Sequence, residues 1–471
     1  MPRALADFQV EALGFLGQTG RAIYGDPPGS RKTATSLTLA AGRPGRTLIV
    51  TPANVLHHWV HEAQDAVPDW PLAWYRGSDS AKRRAAAVDR WLTNDGALVT
   101  NYEAVRRDVE WLLKAKIRNL VFDEAHRLKN RTSQISRAVS RLSTASTTLL
   151  AVTGTPVMNR AEELWALLHL IDRHRWPAYW PWAEEHFYVR STTFGKATRF
   201  PVRMVGAIRP GHEKILQQEM LGLLLYRPIE DLMPELGAEP IWTNLAVALT
   251  PAERKAYNQM AEHGWVEADN KDGFVSADLA IARQGRLRQL VSGWADVQPP
   301  DGLTSKAKAA VELALDLDEP VVILTANQEA AHRIAAKIPH SVVYTGRLSH
   351  EDRDHNKDRF AEGRASAIVG TIAALGVGVD GLQRNSRNLI FVDLDWVYDV
   401  NRQAVGRLWR SGQTRPVNVW ALTAEDTIDE VVAEANRQQK DVKELLLGAT
   451  WQDLVKGHWH DHSPLAEAAT P

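Results

Sequence analysis

Short runs of apolar and β-branched residues recur in the first half of the chain, and longer stretches of helical character separate them. A turn or a polar residue follows each run. This alternation is typical of parallel strands that helices cover on both faces. The predicted strands are residues 22–24, 47–51, 97–101, 120–122 and 148–153.

The same alternation restarts in the second half, so we predict an α/β protein with two parallel-sheet lobes. Residues 176–300 are rich in Trp, Arg and Glu and lack regular strand signals, which predicts a helical insertion and connection between the lobes. The second set of strands is 321–324, 341–344, 367–370, 389–393 and 417–422. The predicted boundaries are 1–175 for the N-terminal lobe, 301–450 for the C-terminal lobe and 451–471 for a flexible tail.

The amino-acid composition limits the classes of protein to which the chain can belong. The chain has 471 residues, no cysteine and a net charge of −1. No apolar run is long enough to span a bilayer, and the first ten residues lack the apolar core of a signal peptide. We therefore expect a soluble cytoplasmic protein without disulfides, with no membrane as partner, whose contacts with nucleic acid would use local basic patches.

Residues 25–33, Gly-Asp-Pro-Pro-Gly-Ser-Arg-Lys-Thr, follow a predicted strand and open a predicted helix. In that setting backbone amides and the helix dipole attract phosphate. Lys32 would reach the β- and γ-phosphates of ATP, and Thr33 would ligate Mg²⁺. A plain Pro-Gly turn is the alternative, because Arg31 stands where glycine is usual. The predicted nucleotide-binding residues here are Pro28, Gly29, Ser30, Arg31, Lys32 and Thr33.

Two further segments follow predicted strand ends. Asp123 suits Mg²⁺ coordination and Glu124 suits the role of general base toward an attacking water. The hydroxyls of Thr153 and Thr155, on either side of Gly154, could sense this acidic pair and couple it to nucleic acid.

Gln403, Arg407 and Arg410 are spaced i, i+4 and i+7, which predicts one helix face. Two arginines in a lobe other than that of the phosphate loop suit arginine fingers, which stabilise charge on the γ-phosphate. The alternative is a solvated basic helix.

Taken in order, these segments resemble superfamily-two helicases, and in particular their SWI/SNF-type chromatin-remodelling and DNA-translocase branch. The acidic segment Asp-Glu-Ala-His at 123–126 matches the family's acidic box, and 153–165, with its Glu-Leu-Trp ending, looks particularly diagnostic. The other similar segments are 5–16, 26–33, 48–52 followed by Trp59, 99–103, 225–236, 376–380 and 403–413.

The resemblance implies two RecA-like lobes that bind ATP and Mg²⁺ and translocate on duplex DNA, usually without strand separation. It also implies other DNA-metabolism proteins as partners and a catalytic core without accessory modules. By motif match, Gln9 contacts adenine, Gly378 and Asp380 belong to the nucleotide site, and Thr51, Asn101 and Tyr102 contact DNA. Arg31 and Asp380 depart from the family pattern.

Two other functions remain open at this stage. One is a strand-separating DNA or RNA helicase, and the other is a nucleotide-gated DNA-binding module with weak turnover because of Arg31. The basic runs 127–131 and 283–288 are either further DNA contacts or solvated helix faces.

Overall fold

Two compact units make up the chain, Met1–Leu232 together with Asp441–Pro471, and Met233–Lys440. The predicted insertion at 176–300 is thus divided between the units. The computed structural model describes residues 4–157, 160–192, 202–233, 238–267, 274–276, 280–293, 302–376 and 379–448. Gly378 and the predicted flexible tail at 451–471 lie outside these residues.

The first unit is built on a parallel sheet of seven strands among its described residues, in the order β3-β4-β2-β5-β6-β1-β9. β7 and β8 form a separate antiparallel hairpin. The strands are β1 (Arg21–Tyr24), β2 (Thr47–Thr51), β3 (Leu72–Trp74), β4 (Ala97–Asn101), β5 (Asn119–Asp123), β6 (Thr148–Val152), β7 (Phe187–Thr192), β8 (Val202–Ile208) and β9 (Leu224–Leu225).

Helices cover both faces of this sheet, which explains why its central strands contain runs of consecutive apolar residues. In β2, Leu48 and Val50 belong to one buried cluster and Ile49 to another. The helices of this unit are α1 (Asp7–Thr19), α2 (Lys32–Ala41), α3 (Leu56–Ala66), α4 (Ala81–Asn94), α5 (Tyr102–Lys114), α6 (Gln134–Ala145), α7 (Leu164–Ile171), α8 (Tyr179–His186), α9 (His212–Met220) and α10 (Ile229–Leu232).

The second unit carries a parallel sheet of six strands among its described residues, in the order β10-β17-β16-β13-β15-β14. β11 and β12 pair with each other in antiparallel fashion. The strands are β10 (Ile241–Val247), β11 (Trp265–Glu267), β12 (Phe274–Ser276), β13 (Val321–Thr325), β14 (Val342–Tyr344), β15 (Ala367–Thr371), β16 (Asn388–Phe391) and β17 (Asn418–Ala424).

In the second unit, too, helices alternate with strands along the chain. They are α11 (Pro251–His263), α12 (Ala280–Ser292), α13 (Ser305–Asp316), α14 (Gln328–Ala335), α15 (His350–Ala361), α16 (Ile372–Leu375), α17 (Tyr398–Val405) and α18 (Ile428–Lys443). The C-terminal residues of α18, from Asp441, belong to the first unit. Among the described residues, no helix is both long and apolar enough to cross a membrane.

A buried lysine holds the strand ends of the second unit. The ammonium of Lys306 lies 3.0 Å from Asp393 Oδ1 and 2.6 Å from Asp429 Oδ2. Asp393 also accepts hydrogen bonds from the hydroxyls of Thr325 (2.7 Å) and Ser292 (2.5 Å). These contacts join α12, α13, β13 and α18 at Asp393, two residues after the end of β16.

The predicted α/β class and its two parallel sheets are confirmed. The region 176–300, predicted to be a largely helical insertion and connection, contains the helices α8 to α12 but also the hairpins β7–β8 and β11–β12 and the strands β9 and β10. These strands are short or lie at sheet edges, where half-exposed positions interrupt an apolar run.

Candidate functional site

The predicted phosphate loop joins β1 to α2 and folds around its own lysine. Lys32 Nζ donates hydrogen bonds to the backbone oxygens of Asp26 (2.5 Å) and Pro27 (2.8 Å). Ser30 Oγ donates to Pro27 O as well, at 2.8 Å. Gly29 has φ of 91°, a conformation that glycine adopts without strain. The loop therefore holds its cation at the N-terminus of a helix, as a phosphate site requires.

Arg31 has the left-handed conformation that the usual glycine would take. It precedes α2 with φ of 54° and ψ of 37°. A non-glycine residue in this region stores strain on the order of 1–3 kcal/mol. The backbone of Arg31, which stands where glycine is usual, is therefore strained.

Gln9, predicted to contact adenine, lies beside the same loop. Its Nε2 donates to Thr35 Oγ1 at 3.1 Å and to Arg31 O at 3.4 Å, and the side chain is buried. The amide thus ties α1 to the first turn of α2.

The acidic pair lies at the end of β5. Asp123 Oδ2 accepts a hydrogen bond from Trp59 Nε1 at 2.7 Å. Burial, together with the neighbouring charge of Glu124, raises the pKa of Asp123 to about 7. Both carboxylates lie close enough to Lys32 to interact with its charge. Burial lowers the pKa of Lys32, and the two negative charges oppose that lowering.

This donor set fits a magnesium ion. A carboxyl whose pKa is raised by burial and by a second carboxylate is stabilised as an anion when a cation arrives. Mg²⁺ is usually bound through one or two carboxylates together with substrate phosphates and water. The described residues contain no group of three or more His, Cys, Asp or Glu side chains placed to hold a metal.

His126 connects the acidic pair to the predicted coupling segment. Its Nδ1 lies 3.1 Å from Glu124 Oε2 and 3.1 Å from each of the hydroxyls of Thr153 and Thr155. A Cβ on Gly154 would come within 3.0 Å of Pro28 Cδ, so this glycine allows the segment to pack on the phosphate loop. The three predicted coupling residues are thus brought together with both the acidic box and the loop.

Arg227 is a residue of this site to which the sequence assigned no role. Its Nη2 lies 2.6 Å from Asp26 Oδ2, and its backbone NH donates to Asp26 Oδ1 at 3.1 Å. Its Nη1 donates to Phe8 O and to Glu11 Oε2. The strand β9 brings it there, because Gly25 N donates to Leu225 O at 2.7 Å. In the sequence, the one pointer to Arg227 was its position in segment 225–236, which resembles the family.

The three residues predicted to contact DNA are buried, so the structure does not present their side chains to a ligand. Thr51 Oγ1 donates to Pro52 O. Asn101 accepts from Gly77 N and donates to Glu103. The hydroxyl of Tyr102 donates to Asp123 O at 2.6 Å. Motif position alone had suggested direct contact, whereas these side chains hold the ends of β2, β4 and β5.

The prediction of one helix face for the arginines of the second unit was wrong. α17 ends at Val405, and the backbone continues in turns, with Arg407 N bonded to Ala404 O. Residues three apart lie on one side of such turns. Arg407 and Arg410 accordingly both contact Asp380 Oδ1, the former at 3.4 Å. Gln403 is buried within α17.

The two basic runs make contacts within their own units. Lys129 pairs with Glu163 at 3.3 Å, and the guanidinium of Arg131 lies 3.8 Å from the ring centroid of Tyr179. In the second run, Arg288 donates to Leu394 O. This engagement favours a structural role for both runs.

A family model described as the SNF2-related domain matches residues 16–292, which is more than half of the chain. The chain belongs to the SNF2-related family. The helicase conserved C-terminal domain matches residues 305–412. The first match runs from the first unit into the second, and the second match lies within the second unit.

Among its relatives, an uncharacterized ATP-dependent helicase of Mycoplasma genitalium is 24% identical over 94% of this chain and 41% of its own length. The mouse SWI/SNF-related matrix-associated actin-dependent regulator of chromatin subfamily A member 1 is 24% identical over 91% of the chain and 42% of its own length. The chain thus spans about two fifths of these relatives. A solved structure, the Sulfolobus solfataricus SWI2/SNF2 ATPase core in complex with dsDNA, has a TM-score of 0.44 and 20% identity, covering 97% of this chain and 95% of its own.

Proposed function

We propose that this chain is an ATP-driven motor that couples ATP hydrolysis to movement on duplex DNA or to its remodelling. One observation carries the proposal. In a chain of the SNF2-related family, His126 links the acidic pair to the threonines of the coupling segment, which itself packs on the phosphate loop. An ordinary Pro-Gly turn would not be expected to pack beside an acidic strand end in this way.

In the proposed reaction, Lys32 binds the β- and γ-phosphates after leaving the loop carbonyls with which it is bonded. Thr33 and Asp123 would hold Mg²⁺, and the ion would supply positive charge beside the phosphates. Glu124 accepts a proton from the attacking water. Gln9, Pro28, Gly29, Ser30 and Arg31 complete the first unit's nucleotide-binding set.

The second unit is proposed to supply positive charge to the transition state. Arg407 and Arg410 converge on Asp380, so one carboxylate orients both guanidinium groups. We propose that they stabilise charge on the γ-phosphate, with Gly378, Asp380 and Gln403 belonging to the same site.

Coupling to DNA is proposed to run through Thr153, Gly154 and Thr155. Because the side chains of Thr51, Asn101 and Tyr102 are buried, we propose that they shape the strand ends at which DNA phosphates bind. Tyr102 would transmit a displacement there to Asp123 through its 2.6 Å hydrogen bond.

The test is the steady-state ATPase rate with no nucleic acid, with duplex DNA of several sequences, and with single-stranded RNA. We expect duplex DNA of any sequence to stimulate turnover, and we expect stimulation to fall with salt because phosphate contacts release counterions. Lys32→Ala should lose ATP binding, whereas Glu124→Gln should bind ATP without turnover. Equal or greater stimulation by RNA would instead support a strand-separating helicase, and full nucleotide binding without turnover would support a gated DNA-binding module.

A further inference from the structure

The hairpin β7–β8 presents an unusual outer face. Its inner face is apolar and packed, with Phe187 and Val205 buried. On the other side Tyr188 is 47% exposed and Met204 is 45% exposed. Arg190 is exposed as well and is the cross-strand partner of Met204. The hairpin thus carries a cation between two large exposed side chains.

The charge of the hairpin is entirely positive. Its strands and the residue that follows them contain Arg190, Arg203 and Arg209 but no Asp or Glu. The whole chain has a net charge of −1, so nucleic-acid binding would need a local basic patch. The arginines of the hairpin form a patch of this kind.

The arginines of the hairpin differ in the contacts that they make within the protein. Arg203 stacks over Trp180, with its guanidinium carbon 4.0 Å from the ring centroid, and pairs with Glu184. Arg209 donates to Phe187 O and lies 5.3 Å from the ring centroid of Tyr188. Within the described part of the chain, no carboxylate pairs with Arg190. Its charge is therefore available on the surface.

We propose that the outer face of this hairpin, formed by Tyr188, Arg190, Met204 and Arg209, is a contact surface for the phosphate backbone of duplex DNA. The inference rests on the proposed function and adds to it a surface outside the nucleotide site. Arginines bind phosphate oxygens, and the apolar side chains beside them suit the sugars between phosphates. Because the surface offers guanidinium groups without a groove-reading element, its binding is independent of DNA sequence.

The base of the hairpin is fixed to the rest of the first unit. Arg209 N donates to His186 O at 2.9 Å, and Arg160, close to the coupling segment, donates to Val205 O at 3.2 Å. The first bond closes the base of the hairpin against α8, and the second connects β8 to a residue five positions after Thr155. The surface has the rigid support that a binding element needs.

The experiment measures duplex DNA affinity of the full chain by fluorescence anisotropy, without nucleotide, at several salt concentrations. Arg190→Gln should weaken binding about three- to tenfold for every sequence and reduce the slope of log affinity against log salt by about 0.9, as loss of one phosphate contact requires. Tyr188→Ser should weaken binding without changing that slope. Arg90→Gln, the same change at an exposed position of α4, is the matched control and should leave both quantities unchanged.

The outcomes separate the hairpin from the motor. Wild-type affinity and slope in Arg190→Gln, with normal DNA-stimulated ATPase, would overturn the hairpin surface and leave the proposed function intact. A wild-type chain that binds no duplex DNA would overturn both. Binding of an acidic protein through Arg190 with unchanged DNA affinity would assign the surface to a different partner and refute the proposal.

Discussion

The guanidinium of Arg227 and the carboxylate of Asp26 form a buried ion pair, 2.6 Å apart, although 201 residues separate them along the chain. Asp26 also supplies a backbone oxygen to Lys32, and Arg227 supplies a hydrogen bond to Phe8 O. The phosphate loop is thereby fixed both to α1 and to the segment that follows β9.

We expect Arg227→Met to destabilise the first unit by about 3–5 kcal/mol, because it leaves a buried carboxylate without its cation. The KM for ATP should rise as well, since Asp26 positions the backbone oxygen that holds Lys32. Denaturant unfolding and ATPase titration measure the two effects. Arg141→Met, which breaks the exposed pair with Glu110, is the control and should change neither. Unchanged stability in Arg227→Met would show that the pair is not needed.

Arg31→Gly should raise ATP affinity or turnover. Glycine adopts the observed φ of 54° without the clash that Cβ makes, so strain on the order of 1–3 kcal/mol is removed from the loop. Lys116→Gly removes a similar strain, at φ of 53°, from an exposed turn of the same unit. That control should gain stability without a change in the ATPase. A glycine variant at 31 with equal or lower activity would mean that the arginine charge serves the loop.

The sequence predicted the central strands well, because strands buried on both faces, such as β2 and β4, carry uninterrupted runs of apolar residues, here 48–50 and 97–99. It also located the loop, the acidic pair and the coupling segment, since local motifs end those strands. It could not predict the pairing of Arg227 with Asp26, which depends on β9 joining the sheet beside β1. Nor could it predict that Tyr102 turns inward to Asp123.

Arg407→Ala and Arg410→Ala should each leave the chain folded and reduce turnover strongly, because arginine fingers in related chemistry contribute about 10³–10⁵ in rate. Single-turnover hydrolysis with saturating duplex DNA measures this loss. Arg437→Ala, on an exposed face of the same unit, is the control. Turnover reduced less than about tenfold in both arginine variants would remove them from the reaction.

Arg407 and Arg410 depart from the predicted helix face for a physical reason. The i, i+4, i+7 spacing requires helix through Arg410, whereas α17 ends at Val405 and the backbone continues in turns. The convergence on Asp380 was not visible in the sequence, which marked Asp380 only as a departure from the family pattern.

Acid should destabilise the second unit through Asp393. Burial opposes its ionisation, but Lys306 and the hydroxyls of Ser292 and Thr325 outweigh burial and hold its pKa at about 2, below the ordinary 3.8. Since the folded pKa is the lower one, this stabilisation is present above about pH 4 and is lost as the pH falls toward 2; the difference corresponds to about 2 kcal/mol. Acid unfolding followed by circular dichroism should show a lower stability and a flatter pH dependence in Asp393→Asn. An unaltered acid transition in that variant would exclude this carboxylate as its source.

ATP-driven movement on duplex DNA is tested most directly by displacement of a triplex-forming strand from a duplex. With ATP, the wild-type chain should release the third strand while the duplex itself stays paired, and Glu124→Gln should bind the same DNA and release nothing. Release of the third strand by wild type without ATP hydrolysis, or ATP-dependent separation of the duplex strands in its place, would contradict the account.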